Sequence, residues 1–376
     1  MPRTTAVGDH GGQWPASLAI AVGAAALLLV AVLALLLPSS GANLPADGMQ
    51  AALGTSSAGV ASHTRHGTAP HRRGANSALA LPAGPIIGTN DATGWGRNAA
   101  RTILQGQITW NRVELGALNN TLSQSLSDGF KVLAIVNNTD DGTPLSALNA
   151  STWGAEVAAE LEHDPGISIA EASNEAYLKG GVAEPVQYGR MYLAAVQDMN
   201  AAGIDVPLLF NMTGDIPLGS WSDPSGWSED ASGGGWLRDA VNGVPGLAAA
   251  ILANGISIHP YGAVGENDRD DFGVASAAAD EAVAKAVLGS IPPFYVTEIG
   301  YDLSRCGAGL GACSKREQAS RLQTAYSELL ADPHVKGIWW YQSHDDGTGR
   351  FGFMNNNNKP RPSFTALSAI AVAAGQ

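Results

Sequence analysis

Residues Ile167–Gly181 read ISIAEASNEAYLKGG. From Ile167 to Ala172 every residue except Glu171 is apolar or small, which is how a strand buried on both faces reads. The run then ends in an amide beside a carboxylate, Asn174 and Glu175. Burying such a pair is costly unless hydrogen bonds or chemistry use it. A strand covered on both faces belongs to a parallel sheet wrapped by helices, and its polar end marks where a site would open.

The pattern recurs along the chain. Apolar runs of the same kind occur at PIIGTN (85–90), QITWNRVEL (107–115), FKVLAIVNN (130–138), VPLLFNMTG (206–214), GISIHPYG (255–262), PFYVTEIGY (293–301) and VKGIWWYQS (335–343). Helical faces fill most of the gaps. Tyr188, Met191, Tyr192, Ala195, Val196 and Met199 recur at three and four residues, as do Leu322, Ala325, Tyr326, Leu329 and Leu330. Stop signals follow at Asn200 and Asp332. The helix between the first two strands has the weakest pattern. Eight strand–helix units from residue 82 to residue 376 suit an α/β fold of the (β/α)8 TIM barrel type, typically ~250 residues. A doubly wound open sheet is the competing fold. It would carry a phosphate-binding glycine loop after its first strand, and GTNDATGWG (88–96) does not match one.

The N-terminal part reads differently. Ser17–Leu37 is an uncharged apolar stretch stopped by Pro38, long enough to cross a bilayer. A cleaved signal segment has a shorter apolar core, so a retained transmembrane anchor is favoured over a signal segment. Arg3 precedes the span and no Lys or Arg follows until Arg65, which puts residues 1–16 in the cytoplasm and the rest outside. Residues 38–81 are rich in Ala, Gly, Ser and Pro with a basic patch at His63–Gly74, and read as a disordered linker. The expected location is extracellular, anchored at the cell surface or secreted, and the Ala- and Gly-rich composition looks bacterial. Cys306 and Cys313, the only two cysteines, have six residues between them, three of them glycines, and are expected to close a small disulfide loop. The net charge of −13 argues against nucleic acid or an anionic membrane surface as a partner.

In a barrel the active site lies at the C-terminal ends of the strands. Seven of the eight ends carry polar or aromatic residues: Arg112; Asn137 and Asn138; Asn174 and Glu175; Asn211; His259 and Tyr261; Glu298; and Trp339 and Trp340 with His344, Asp345 and Asp346 beyond. One such end is an ordinary strand cap, but seven point to a site. Glu175 and Glu298 lie on the fourth and seventh strands, far apart in sequence yet able to face each other across a barrel mouth. Two facing carboxylates are what glycoside hydrolysis needs, one to protonate the leaving oxygen and one to attack or to activate water.

At these residues the sequence resembles the retaining glycoside hydrolases of clan A, barrels related to cellulases and other endo-β-glycanases. EASNEA (171–176), FYVTEIGY (294–301) and the closing IWWYQSHDDGTGRFGFMNNNNKPRPSF (338–364) carry the resemblance, which extends over residues 82–376. It implies Glu175 as general acid/base and Glu298 as nucleophile. Asn174 would bind the sugar 2-hydroxyl, and Arg112 would hold Glu298 ionised. His259, Tyr261 and Asn211 would bind substrate or orient the nucleophile. Trp340 or Trp339 would form an apolar platform, since strand alternation turns only one of them inward. Glu171 would be a structural hydrogen-bonding carboxylate. The mechanism would be a double displacement on a β-linked poly- or oligosaccharide, with Glu175 kept protonated by repulsion from Glu298.

No metal or other cofactor is expected, and a monomer is. ENDRDDFG (266–273) looks like a calcium loop, but Phe272 occupies a ligand position and no Glu closes it. There is no G-x-S-x-G elbow and no H-E-x-x-H helix. A barrel that binds glycans without cutting them is the alternative. Residues 214–236 hold Trp221, Trp227 and Trp236, either a substrate wall or packing for a long loop. Asn119, Asn137, Asn149 and Asn211 lie in N-x-S/T sequons.

Overall fold

The computed structural model describes residues 81, 84–115, 121–136, 145–176, 184–212, 235–260, 274–304, 314–345 and 349–376. The expected anchor, the linker up to residue 80, Tyr261, Asn137, Asn138, Trp221, Trp227, the calcium-like loop and both cysteines lie outside them. Among the described residues no helix is long and apolar enough to cross a membrane.

Eight parallel strands close into a barrel in sequence order: β1 (Ile86–Asn90), β2 (Trp110–Glu114), β3 (Lys131–Val136), β4 (Ile167–Ala172), β5 (Leu208–Asn211), β6 (Ile256–Ile258), β7 (Phe294–Ile299) and β8 (Val335–Trp340). All eight coincide with the apolar runs. The helices are α1 (Arg97–Gln105), α2 (Thr121–Asp128), α3 (Ala150–His163), α4 (Glu184–Ala202), α5 (Trp236–Gly243), α6 (Leu247–Asn254), α7 (Val274–Leu288), α8 (Lys315–Ala331) and α9 (Pro362–Ala373). The weakly patterned first helix is present, burying Ala99, Ala100 and Ile103. Helix starts follow local chemistry. Asn149 Oδ1 accepts from Thr152 N–H ahead of α3, Ser314 Oγ accepts from Glu317 N–H ahead of α8, and Pro362 opens α9.

Strand alternation sorts the side chains into two cores. Outward residues such as Ile87, Val132, Ala170, Phe210, Ile258, Val296, Ile338 and Trp340 pack under the helices. Inward residues Ile86, Trp110, Leu133, Ile169, Leu209, Tyr295 and Trp339 form a separate apolar cluster inside the barrel. Further along the same faces, the inward positions become polar: Asn90, Arg112, Glu171, Asn211 and Thr297. The barrel therefore has an apolar floor and a polar ceiling at the strands' C-terminal ends.

Two glycines make room for the largest floor residue. A Cβ on Gly88, which pairs with Trp339 in register, would lie 2.2 Å from the indole, and one on Gly337 would lie 2.6 Å from it. The expectation of a sugar platform on Trp339 or Trp340 is corrected here. Trp339 is wholly buried in the floor, edge-on to Trp110. Trp340 is wholly buried in the outer core, its Nε1–H donating to Phe351 O at 3.0 Å. Neither offers a ring face to a sugar. Trp236 is likewise packing: it is buried at the start of α5 against Tyr188.

Candidate active site

Arg112, inward on β2 and almost wholly buried, is the hub of the polar ceiling. Its Nε–H donates to Glu171 Oε2 at 2.7 Å, Nη1 to Glu298 Oε1 at 2.5 Å and to Asn90 Oδ1 at 3.0 Å, and Nη2 to Asn174 Oδ1 at 2.9 Å. One rigid guanidinium fork thus ties together the ends of β1, β2, β4 and β7, a task its planar set of donors suits.

Glu298 reaches this hub through an irregularity in β7. Val296 pairs with Ile338 and Ile299 with Trp340, so three steps on β7 face two on β8. The extra residue lets both Thr297 and Glu298 bond inside the barrel mouth, as bulges beside active sites do. Glu175 reaches it through a turn. β4 ends at Ala172, and Ser173 (φ 68°) and Glu175 (φ 45°) then adopt the left-handed conformation that non-glycine residues seldom take. Ser173 is buried, so the surrounding packing holds the turn in place.

His259, directly after β6, lies between the carboxylates. Its Nδ1 is 3.0 Å from Glu175 Oε1 and 3.8 Å from Glu298 Oε2, and its Nε2 is 3.0 Å from Thr297 Oγ1. Burial alone would lower its pKa. The charge of Glu298 and the hydrogen bonds with Glu171 and Glu175 outweigh that and push it up to about 10, which favours the charged form of the ring. Glu171 is fully buried; burial opposes its charge, yet Arg112 and His259 bring it down to about 2. Glu175 is also lowered, because its hydrogen bond to His259, the charge of His259 and that of Arg112 overcome burial. The direction of the Glu175 shift is thus set by His259 and Arg112.

Asn211 is placed at the ceiling but not for substrate. Its Nδ2 hydrogens go to Glu171 Oε1 and Ser257 Oγ, both at 3.2 Å, and its Oδ1 accepts from Ala176 N–H at 3.1 Å. Wholly buried and fully engaged, it braces Glu171 and the Glu175 turn from below, and it cannot carry a glycan in the folded protein. Asn90 and Thr297 belong to the network and went unread in the sequence, although Asn90 is a polar strand end like the other seven. Tyr341, just past β8, is half-buried and edge-on to Phe351.

Glu175, His259 and Glu298 offer ligand atoms within 4.8 Å of one another. A cation there would have to displace the guanidinium from Glu298 and the imidazolium from Glu175, so the electrostatics disfavour one. A second trio, Glu281 of α7 with Asp332 and His334, has the same capacity at the opposite end of the barrel.

No family model matches this chain, and no curated protein does. Solved structures do match. A family 39 glycoside hydrolase from the gut symbiont Bacteroides cellulosilyticus WH2 superposes with a TM-score of 0.54 at 19% identity, covering 77% of this chain and 64% of that one. A GH5_18 protein from Streptomyces cattleya in complex with Manβ1-4GlcNAc gives 0.51 at 14% identity, over 77% of this chain and 80% of that one. A β-glucuronidase from Bifidobacterium dentium complexed with coumarin-3-O-glucuronide gives 0.51 at 14%, over 77% and 47%. The barrel fold is shared with glycoside hydrolases. This chain thus spans less than two thirds of the family 39 enzyme's length, and what it has in common with these proteins at such identities is the barrel.

Proposed function

We propose that this protein is a retaining glycosidase that hydrolyses β-glycosidic bonds of an oligo- or polysaccharide. The observation that carries the reading is the approach of the two glutamates, with a carboxylate oxygen of Glu175 and one of Glu298 no more than 4.8 Å apart. Retaining enzymes hold their carboxyl groups ≈ 5–5.5 Å apart, whereas inverting ones leave ≈ 6.5–9.5 Å for a water.

Glu298, aimed by Arg112, attacks the anomeric carbon. Glu175 passes a proton to the leaving oxygen. His259 Nδ1, one hydrogen bond from Glu175 Oε1, is within reach to supply that proton as the negative charge of the leaving oxygen develops. A glycosyl–enzyme ester forms on Glu298, and water deprotonated by Glu175 then cleaves it with a second inversion. Asn174, half-exposed beside Glu175 and oriented by Arg112, is placed to bind a hydroxyl of the same sugar. The protein acts as a monomer outside the cell, tethered by Ser17–Leu37 and stiffened by a Cys306–Cys313 disulfide.

The test is a screen of β-glucan, mannan, xylan and galactan, Manβ1-4GlcNAc and aryl β-glycosides, with the first anomer of the product followed by NMR. Retention is expected, and Glu298→Gln should lower kcat by about 10³-fold or more. Glu175→Gln should cost less on aryl glycosides, whose leaving groups need little protonation. An inverted product, or a Glu298→Gln variant with full activity, overturns the mechanism. Binding without cleavage in the wild type would leave a glycan-binding barrel.

A further inference from the structure

Glu281 sits midway along α7, and the turn from α8 into β8 brings Asp332 and His334 against it. Although acidic, Glu281 is only 8% exposed. Among the described residues no N–H donates to its carboxylate. His334 Nδ1 stops 3.8 Å from its Oε2, and the neighbour within hydrogen-bond reach is Asp332, a second acid. Lys336, two residues beyond His334, gives its ammonium to Pro333 O at 2.6 Å and pairs with neither carboxylate. Burial and the charge of Asp332 push the Glu281 carboxyl up to about 7. Two carboxyl groups held this way, one of them more than nine-tenths buried, require a shared proton or a cation between them.

The other two groups are fixed from behind. Asp332 follows the last residue of α8, and its Oδ1 accepts from His334 N–H at 2.8 Å and lies 3.1 Å from His334 Nδ1. His334 O accepts from Phe294 N–H at 2.8 Å, which ties the turn to the start of β7. One imidazole nitrogen and two carboxylate oxygens thus lie within 4.8 Å of one another. A tetrahedral ion with bonds of ~2.0–2.1 Å needs its ligand atoms roughly 3.3 Å apart. The edges from His334 Nδ1, 3.1 Å to Asp332 and 3.8 Å to Glu281, stand on either side of that value. Asp332 and His334 are partly exposed, which leaves an entry path and a fourth position for water. The trio at Glu175 differs, because Arg112 and His259 already face its acids.

We infer that Glu281, Asp332 and His334 form a binding site for a divalent transition ion of the zinc type. One imidazole with two carboxylates is a donor set for Zn²⁺, whereas Ca²⁺ and Mg²⁺ take oxygen ligands. The two carboxylates cancel the charge of the ion, and the ion gives Glu281 the counter-charge that the described residues do not. Asp332, already oriented by His334 N–H, is a ligand whose position is set before the metal arrives. The bound ion joins α7 to the α8–β8 turn and, through His334 O, to β7. It is a staple at the end of the barrel opposite Glu175 and Glu298, so the inference is independent of the glycosidase reading. The competing role is an acid pair that shares a proton and takes no metal.

The test uses the full chain, dialysed against EDTA and then titrated with Zn²⁺ while calorimetry and thermal unfolding are followed. Zn²⁺ at about 100 times its dissociation constant should raise Tm by roughly 5 °C. Glu281→Gln and His334→Gln should each weaken binding at least about tenfold, the loss that even an outer-shell partner costs, and remove the Tm gain. Co²⁺ should give the wild type the visible absorption of a four-coordinate ion, and both variants should lack it. Zn²⁺ held by His63, His66 or His71 would survive both substitutions and so is told apart. His334→Gln alters a partly exposed ring and keeps the test open if Glu281→Gln does not fold. No Tm gain at about 1 mM Zn²⁺, where even a weak site fills, overturns the inference and leaves the proton-sharing pair. A gain that persists in either folded variant overturns it too, since the ion then sits elsewhere. An equal gain from Mg²⁺ or Ca²⁺ overturns the zinc-type assignment.

Discussion

At the scale of single residues the site is governed by two buried cations, Arg112 and His259, set among three glutamates. Removing a partner would strand a buried charge, which is why each carboxylate here has more than one. The pKa shifts make this a pH-dependent source of stability. His259 rises from 6.5 to about 10 on folding, so its contribution is complete below pH 6.5 and is lost as pH climbs through about 10. Glu171 falls from 4.5 to about 2, so its contribution is complete above pH 4.5 and is lost as pH drops towards 2. Both are fully present between pH 4.5 and 6.5. Thermal unfolding of the wild type and of His259→Gln should therefore differ most at pH 5–6 and converge by pH 10, by at most ~1.4 kcal/mol per pH unit. A gap that stays constant with pH would mean that His259 is neutral in the folded protein. From the sequence, the two glutamates and Arg112 were legible because each sits at a strand end. The sign of the Glu175 shift was not, since it depends on a 3.0 Å contact with a residue 84 positions away.

At the scale of elements the floor of the barrel is tuned by what is missing from β1 and β8. Gly88→Ala would place a methyl 2.2–2.3 Å from Trp339 Cδ1 and Nε1, inside a cluster with no room to yield. The expected loss is about 1–3 kcal/mol, read as a lower denaturant midpoint at unchanged slope. Gly88→Ala combined with Trp339→Leu should recover part of what the two single changes lose, a coupling that a double-mutant cycle measures. Gly94→Ala, with nothing within 4 Å of the added methyl, is the control and should shift stability by less than ~0.5 kcal/mol. Additive losses at Gly88 and Trp339 would show that the indole does not set the limit. The strands themselves were legible because burial on both faces leaves no polar alternation to misread. Their registers were not. The irregularity in β7 that re-aims Glu298 follows from pairing with β8, and the choice of which tryptophan faces inward follows from the same register. The platform expected at Trp339 or Trp340 failed for that reason: both rings were claimed by the two cores before any sugar could meet them.

At the scale of the whole molecule the barrel closes on its own residues. β1 pairs with β8, and the last residue, Gln376, fastens the other end of the sheet. Its Nε2–H donates to Pro85 O at 3.1 Å, and its Oε1 accepts from Thr109 Oγ at 3.1 Å. Every strand thus has two neighbours, and the contacts that complete the ring come from within residues 84–376. A barrel without open edges needs no upstream strand to protect it. Its stability should therefore be indifferent to the apolar segment and the Ala/Gly-rich stretch that precede it. Residues 82–376 produced alone should unfold within ~2 °C of the full chain and keep its kcat and KM. The full chain should sediment with membranes through the uncharged Ser17–Leu37 stretch while residues 82–376 stay in the supernatant. A Tm drop beyond ~5 °C would show that upstream residues contribute to the fold. Recovery of the full chain from the supernatant at its full mass would instead remove the anchor and leave the barrel reading intact, because the two outcomes depend on different parts of the chain.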